Sequence, residues 1–463
     1  MKKLFLGFSL IAFAIGIVGC TADPTETTEA PTTEAPTTEE TTTEAPTTEP
    51  TNELAQGVTD TSILVGNTAA VTGAFAGVGV PFNDAIKAVF EEVNENGGID
   101  GREIEFITYN DEFDATKGVT FTETLVEQDE VFALVGHFGT PTVGATVDYI
   151  QDEGVPMVYA ATGINALYFE ESVGNPVMAV QPIYLTDGRI MTARALTEEV
   201  YGTNGDEAFP SDGTIGVLYT GDDVGNSIKA GVEAEMDVLG IAESRVEYIS
   251  ASLDTMSAAV TDASFAGVDV VILAMNQEPF AAALDEMANQ SFEVPVFSSY
   301  VNADPTYVDP AQYSEDRPIF TNAWVDVFSE EGQAAVGEFA TTIAGASFLD
   351  ETTKEAYLTN SFAIAGYIAA RVFIEGLTRV ETNGDLLTWS NYISAMEEGP
   401  IDIPMGGTVD FSGGKRWGIA SMSLLQYYVG DNPATPDETE TDFETFNQVQ
   451  PIETIEEIEA KFE

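Results

Sequence analysis

The sequence predicts an α/β protein made of two doubly wound, parallel-sheet lobes, preceded by a signal peptide and a disordered tether. Three observations carry this. Short apolar runs alternate with amphipathic segments from residue 62 onward. The alternation occurs twice, over 62–159 and again over 215–298. About 410 residues lie beyond the tether, too many for one ordinary small core and enough for two.

In chain order, Ser62-Ile-Leu-Val-Gly-Asn-Thr68 reads as a buried strand, and the glycine-rich stretch 72–79 as a loop. Phe82, Ile86, Val89, Phe90 and Val93 then recur at three- and four-residue steps, the spacing of one helix face. Asn96-Gly97-Gly98 stops that helix. Strand 104–109, helix 116–127, strand 132–135, helix 142–153 and strand 157–159 follow. The second series runs strand 215–219, a helix from Val224, strand 246–250, helix 258–265, strand 270–273, helix 280–287 and strand 294–298. Such spacing argues for parallel sheets covered by helices. Open sheets of this kind bind ligands off the carboxyl ends of their strands. The loops to watch are therefore 72–79, 137–142, 160–163, 221–225, 274–278 and 299–304.

The N-terminus reads as an address and a tether. Lys2 and Lys3 precede an apolar run, 4–18, and then Gly19-Cys20. A basic start, a short apolar segment and a small residue before the cut form a secretory signal. The run is short for a bilayer span of about 20 residues. Ile17-Val18-Gly19-Cys20 resembles the bacterial lipobox, which implies lipid on the Cys20 thiol. The alternative is an ordinary signal peptide with an incidental cysteine. Residues 21–51 are almost entirely Thr, Glu, Pro and Ala. They cannot bury enough apolar surface to fold, and proline with like charge extends them as a spacer.

Acids outnumber bases 78 to 16, a formal charge of −62. That excludes nucleic acid as a partner, since phosphate binding needs clustered Lys and Arg. The acidity fits either a saline or alkaline habitat or a lineage-wide bias. Cys20 is the only cysteine, so no disulfide is expected. His137 is the only histidine, which weighs against histidine metal sites and a serine triad. There is no Gly-x-Ser-x-Gly elbow and no Walker loop. No catalytic site, metal or cofactor is expected.

Several motifs together carry a resemblance. They are Asn94-Glu-Asn-Gly-Gly-Ile-Asp-Gly-Arg-Glu103, Tyr109-Asn-Asp-Glu-Phe-Asp114, Leu134-Val-Gly-His137, Asp152-Glu-Gly-Val-Pro-Met157 and Met405-Gly-Gly-Thr-Val-Asp-Phe411. In this order and spacing the chain resembles the extracytoplasmic solute-binding proteins of ABC transporters, type I, branched-chain amino-acid group, from about Ser62 to Gly430. The resemblance implies three crossovers between lobes, near 178–183, 319–325 and 404–408. It divides the chain into a lipoprotein signal peptide (1–19), a lipidated tether (20–56), lobe 1 (57–180 and 324–404), lobe 2 (181–323 and 405–430) and an acidic tail (431–463). The tail carries a helical pattern over 452–462, either capping the second lobe or staying mobile.

The resemblance also implies a site. Thr140 and Thr162 match the hydroxyls that hold a ligand carboxylate, and Ala160 the carbonyl that accepts from its amine. Hydroxyl and N–H donors suit a carboxylate because charge-assisted bonds are strong. The competing role for both threonines is strand-end turn chemistry. Tyr357 matches a family aromatic. Val78, with Phe75 nearby, Val224 and Asn276 stand where the family has other aromatics. Tyr300 replaces the acid that pairs with the ligand ammonium. An unpaired buried ammonium is costly. Either Asp222, Asp223 or Glu278 takes over, or the ligand lacks an α-amine. Asp222 and Asp223 also suit helix N-capping. The implied function is capture of a small-molecule solute for an ABC permease, on a membrane anchored through Cys20. A receptor-type sensor of the same fold and an anchored hydrolase are the alternatives.

Overall fold

Each lobe is built on one sheet. The computed structural model describes residues 53–202, 204–430 and 443–462, within one unit, Thr51–Glu463. The expected signal peptide, Cys20 and the tether to residue 52 lie outside the described residues, as does 431–442. The end of the expected tether is already bonded to the first lobe. Ala55 N–H donates to Leu387 O at 3.0 Å, and Gln56 Nε2 to Val131 O at 3.1 Å.

The first series is β1 (Ser62–Ala69), α1 (Ala76–Glu95), β2 (Glu103–Asn110), α2 (Ala115–Glu127), β3 (Ala133–Val135), α3 (Thr140–Glu153), β4 (Met157–Val158) and β5 (Val177–Met178). The sheet order is β2-β1-β3-β4-β5, all parallel. Ile63 and Val65 of β1, Leu134 of β3 and Met157 of β4 are fully buried. Both faces are covered, so these strands read as continuous apolar runs. Gly66 is the exception within β1: a Cβ there would lie 2.6 Å from the Leu125 side chain.

The second series is α4 (Tyr184–Thr197), β6 (Ile215–Thr220), α5 (Asp223–Val238), β7 (Val246–Ala251), α6 (Met256–Ala266), β8 (Val270–Ala274), α7 (Gln277–Asn289), β9 (Val296–Ser298) and β10 (Ile319–Ala323). The chain returns to the first lobe through α8 (Glu330–Gly345), α9 (Glu351–Tyr357), α10 (Ser361–Asn383) and α11 (Trp389–Met396). Helix α10 is long and apolar enough to cross a membrane, but it packs on α1 inside the lobe. A small hairpin follows, β11 (Ile401–Ile403) with β12 (Gly407–Val409). Asp326 N–H donates to Met405 O, which ties this passage to the one after β10.

The second sheet departs from the expected pattern at one edge. Its order is β14-β13-β10-β9-β8-β6-β7, where β13 (Ser421–Gly430) and β14 (Phe443–Thr454) run antiparallel. The helix expected from 452 begins later, as α12 (Ile455–Glu459), because the preceding residues pair with β13. Thr454 caps it in a capping box with Glu457. Helix α12 packs on α4, where Arg189 Nη2 meets Glu459 Oε1 at 2.8 Å and Arg194 Nη1 meets Glu453 Oε2 at 2.7 Å. Helices α4 and α5 cross closely, since a Cβ on Gly188 would lie 2.2 Å from Ile228 O.

Candidate ligand cleft

The first lobe offers two short loops at the carboxyl ends of β3 and β4. They are zipped together: Ala161 N–H donates to His137 O at 2.8 Å, and Gly139 N–H to Ala161 O at 3.3 Å. Gly139 has φ 99°, and a Cβ there would sit 3.0 Å from the Phe113 ring. This registration brings Thr140 Oγ1 within 2.7 Å of Thr162 Oγ1. Both threonines are buried. Ile164 N–H also donates to Thr162 Oγ1 at 3.3 Å, and Thr162 N–H to Ala160 O at 2.8 Å.

His137 lies beneath this pair, fully buried. Thr68 N–H donates to its Nδ1 at 3.4 Å, so the neutral ring carries its proton on Nε2, facing Thr122 Oγ1 at 3.2 Å and Thr146 Oγ1 at 3.3 Å. Burial without a charged partner pulls its pKa down to about 3. Beside it, the buried Asp111 carboxylate accepts from Thr68 Oγ1 at 3.0 Å and Thr142 Oγ1 at 2.7 Å.

Two tyrosines of the second series pack against Gly163, next to this pair. Tyr300 follows β9, and its hydroxyl donates to Pro182 O at 2.8 Å while accepting from Gln181 Nε2 at 2.9 Å. Tyr184 opens α4, and its ring centroid is 6.0 Å from that of Tyr300. A Cβ on Gly163 would meet Pro182 O at 2.6 Å, the Tyr300 hydroxyl at 2.7 Å and Tyr184 Cδ1 at 2.9 Å. Burial raises the Tyr184 pKa, and the hydroxyls of Thr140 and Thr162 and the Gly163 backbone work against that rise. Asp187, one turn further along α4, is fully buried and accepts from Asn322 Nδ2 at 2.8 Å; burial pushes its pKa up to about 6.

The other expected residues divide. Phe75 stacks on Phe113, with centroids 3.9 Å apart, beside the Thr140 loop. Val78 is buried in α1 and Val224 in α5. Asn276 is the N-cap residue of α7. Tyr357 donates to Asp84 Oδ2 at 2.9 Å. Asp222 caps α5, with its Oδ1 accepting from Gly225 N–H at 2.9 Å and Thr220 Oγ1 at 2.8 Å. Asp223 faces the first lobe, its Oδ2 lying 3.6 Å from where a Gly144 Cβ would stand. At the same mouth Asn165 Nδ2 donates to Ser227 O at 3.4 Å. Thr140, Ala160, Thr162 and Tyr300 are thus brought together, with Phe75 adjoining, whereas the side-chain hydrogen bonds of Tyr357 and Asp222 run elsewhere.

Tyr159, Tyr184 and Asp187 were missed from sequence. Tyr159 follows β4 with φ 58°, rare for a bulky side chain, and its fully buried hydroxyl has no hydrogen-bond partner among the described residues. Among these residues no group of His, Cys, Asp or Glu converges in metal-binding fashion. A groove of about 510 Å³ lies elsewhere, lined by Phe90, Glu91, Glu103 and Ile104. It sits at the amino ends of the strands, the opposite end from ligand loops, so it is not taken as the cleft.

Two doubly wound lobes whose strand-end loops face one another define a type I periplasmic binding protein fold. The chain belongs to the periplasmic binding protein family, whose model matches residues 62–431. Leu/Ile/Val-binding protein homolog 1 of Brucella abortus is 27% identical over 240 residues, covering 51% of this chain and 60% of that relative. The chain therefore spans about three-fifths of the relative's length. A fatty acid ABC transporter substrate-binding protein from Thermomonospora curvata is similar in structure, with TM-score 0.68 and 20% identity over 88% of this chain and 96% of that one. A branched-chain amino acid ABC transporter structure from Thermus thermophilus with bound valine has TM-score 0.66 and 14% identity, covering 86% and 97%. At these identities the solved structures speak to the fold. Strand β14 and helix α12 lie beyond the family match.

Proposed function

We propose that this chain is an extracytoplasmic solute-binding lipoprotein. It captures a small organic solute of the amino-acid, carboxylate or amide class between its lobes and delivers it to an ABC permease. We read 57–180 with 324–404 as the first lobe and 181–323 with 405–430 as the second. The observation that carries the reading is the Thr140–Thr162 pair at the strand ends of one lobe, with Tyr184 and Tyr300 of the other packed against the adjoining Gly163. The basic, apolar and lipobox-like start supports export and a lipid on Cys20. The relatives are named as binding proteins, which favours capture over turnover.

A thermal-shift screen against amino acids, short carboxylates, amides and nucleosides tests the capture. A ligand at 100 times its dissociation constant stabilises by about 2.7 kcal/mol. No shift across the panel would defeat the reading. Fatty-acid labelling of Cys20→Ser tests the anchor, and label equal to wild type rules it out.

A further inference from the structure

We propose that Asp187 is held as the neutral acid and closes a two-bond pair with Asn322, carboxyl O–H to amide oxygen and amide N–H to carboxyl oxygen, and that this pair is a pH-sensitive latch fastening α4 to β10. The latch involves no ligand, so it stands apart from the solute-binding reading above.

Two orphaned atoms belong to one bonded pair. Asn322 Nδ2 donates to Asp187 Oδ1 at 2.8 Å and to the Asp187 backbone oxygen at 3.2 Å. Asp187 is fully buried, and Asn322 is 1% exposed. Among the described residues, Asp187 Oδ2 and Asn322 Oδ1 have no hydrogen-bond partner. Both are acceptors when the acid is ionised, and buried acceptors without donors are costly. A carboxyl and a primary amide are planar forks of similar span. Joined at one pair of tines, they bring the two remaining oxygens together, and a single proton there satisfies both. Turning the Asn322 amide over does not serve. Its oxygen would then face Asp187 Oδ1 and the Asp187 backbone oxygen, both acceptors.

The surroundings supply no cation to hold an anion there. Strands β8, β9 and β10, which pack against α4, carry no titratable residue. Helix α5 brings Glu235 and α12 brings Glu459, and both are bound to Arg189. The other acids of these two helices, Asp223, Glu233, Asp237, Glu456 and Glu457, are exposed, and Lys229 pairs with Glu233. Arg194 of α4 itself is taken by Glu198 and Glu453. Tyr184 on α4 and Tyr300 after β9 are the titratable neighbours that sense the Asp187 charge. The Ser299 hydroxyl and the Tyr300 N–H favour the anion, but burial outweighs them and pushes the Asp187 pKa up to about 6. Packing around this turn is close. A Cβ on Gly188 would lie 2.2 Å from Ile228 O, and one on Gly231 2.2 Å from Leu185 O. A proton is the smallest donor such a space admits.

The pair sits where it governs the start of α4. Asp187 lies in the first turn of that helix, and Asn322 is the last residue but one of β10. In the same turn Tyr184 N–H donates to Gly163 O at 2.5 Å, and the Tyr184 ring lies against the Gly163 backbone. Loss of the proton sets a bare carboxylate oxygen against the Asn322 oxygen. The folded pKa stands above the ordinary 3.8, so the contribution is complete below pH 3.8 and is lost as pH rises through about 6. The latch is therefore fastened in acid and loosened toward neutral and alkaline pH.

Asp187→Asn in the full chain tests this, because an amide supplies the donor of the neutral acid at every pH. Urea denaturation of wild type and variant at pH 5 and pH 8, both above the isoelectric point of about 4.1, gives the ratio of their unfolding constants. Glu235 and His137 titrate in both proteins and cancel. The ratio should move by roughly tenfold in favour of the variant between pH 5 and pH 8, the share of the shift from 3.8 to about 6 that falls in this window. Hydrogen exchange of α4, corrected for its intrinsic rate, should quicken over the same window in wild type and not in the variant. A ratio that stays fixed overturns the latch, as does wild-type protection of α4 that does not change. A variant that fails to fold at pH 5 also overturns it, since an amide would then not stand in for the acid.

Discussion

The Tyr300 hydroxyl donates to the Pro182 carbonyl at 2.8 Å, joining the end of β9 to the passage between β5 and α4. The same oxygen accepts from Gln181 Nε2 at 2.9 Å. A side chain expected to face the ligand is thus also a brace on that passage.

Tyr300→Phe should lower stability by about 1–3 kcal/mol, because two buried partners, Pro182 O and Gln181 Nε2, lose their bond. Urea denaturation measures it. A midpoint equal to wild type would show that the brace carries no stability.

Gly163→Ala should hold the lobes apart. The added carbon would meet Pro182 O at 2.6 Å and the Tyr300 hydroxyl at 2.7 Å, and the backbone contact cannot yield cheaply. Small-angle scattering should give a larger radius of gyration than wild type. An unchanged radius and melting temperature would show that the contact relaxes.

Glu235 should make the fold less stable as pH rises. Its side chain is fully buried beside Arg189, and burial pushes its pKa up to about 7 from 4.5. Between those values the folded state holds a proton that the unfolded chain releases. The contribution is complete below pH 4.5 and is lost as pH rises through about 7. Glu235→Gln should flatten that loss. Parallel pH profiles of wild type and variant would refute the assignment.

His137 acts in the opposite direction. Its pKa falls to about 3 from 6.5, so the unfolded chain binds a proton that the folded state refuses. Stability should fall as pH drops below 6.5, by up to about 1.4 kcal/mol per unit. His137→Gln should remove that slope, and acid-limb denaturation curves at stepped pH test it.

Ending the chain after Gly430 should lower the melting temperature and promote self-association. It strips β14 from β13, leaving an unpaired sheet edge, and removes Glu453 and Glu459 from Arg194 and Arg189. Analytical ultracentrifugation would detect the association; a monomer as stable as wild type would contradict it.

Much of the fold was legible because its signals are local. The three- and four-residue recurrence of Phe82, Ile86, Val89 and Phe90 is the buried face of α1. The Thr140–Thr162 approach was legible through family motifs, since it depends only on neighbouring strand ends. The edge of the second sheet was not. Residues 443–454 read as an acidic tail because an edge strand with one face open to water need not be apolar.

By itself the sequence determined the two strand–helix series and the strongly acidic composition. These depend on composition and on periods a few residues long. Only the tertiary structure decided what each site side chain is bonded to. Tyr300 meets Pro182, and Tyr184 meets Gly163, across separations that no local period encodes. Tyr159 follows a buried strand and reads as core; that its hydroxyl finds no acceptor is known only once its neighbours have packed around it.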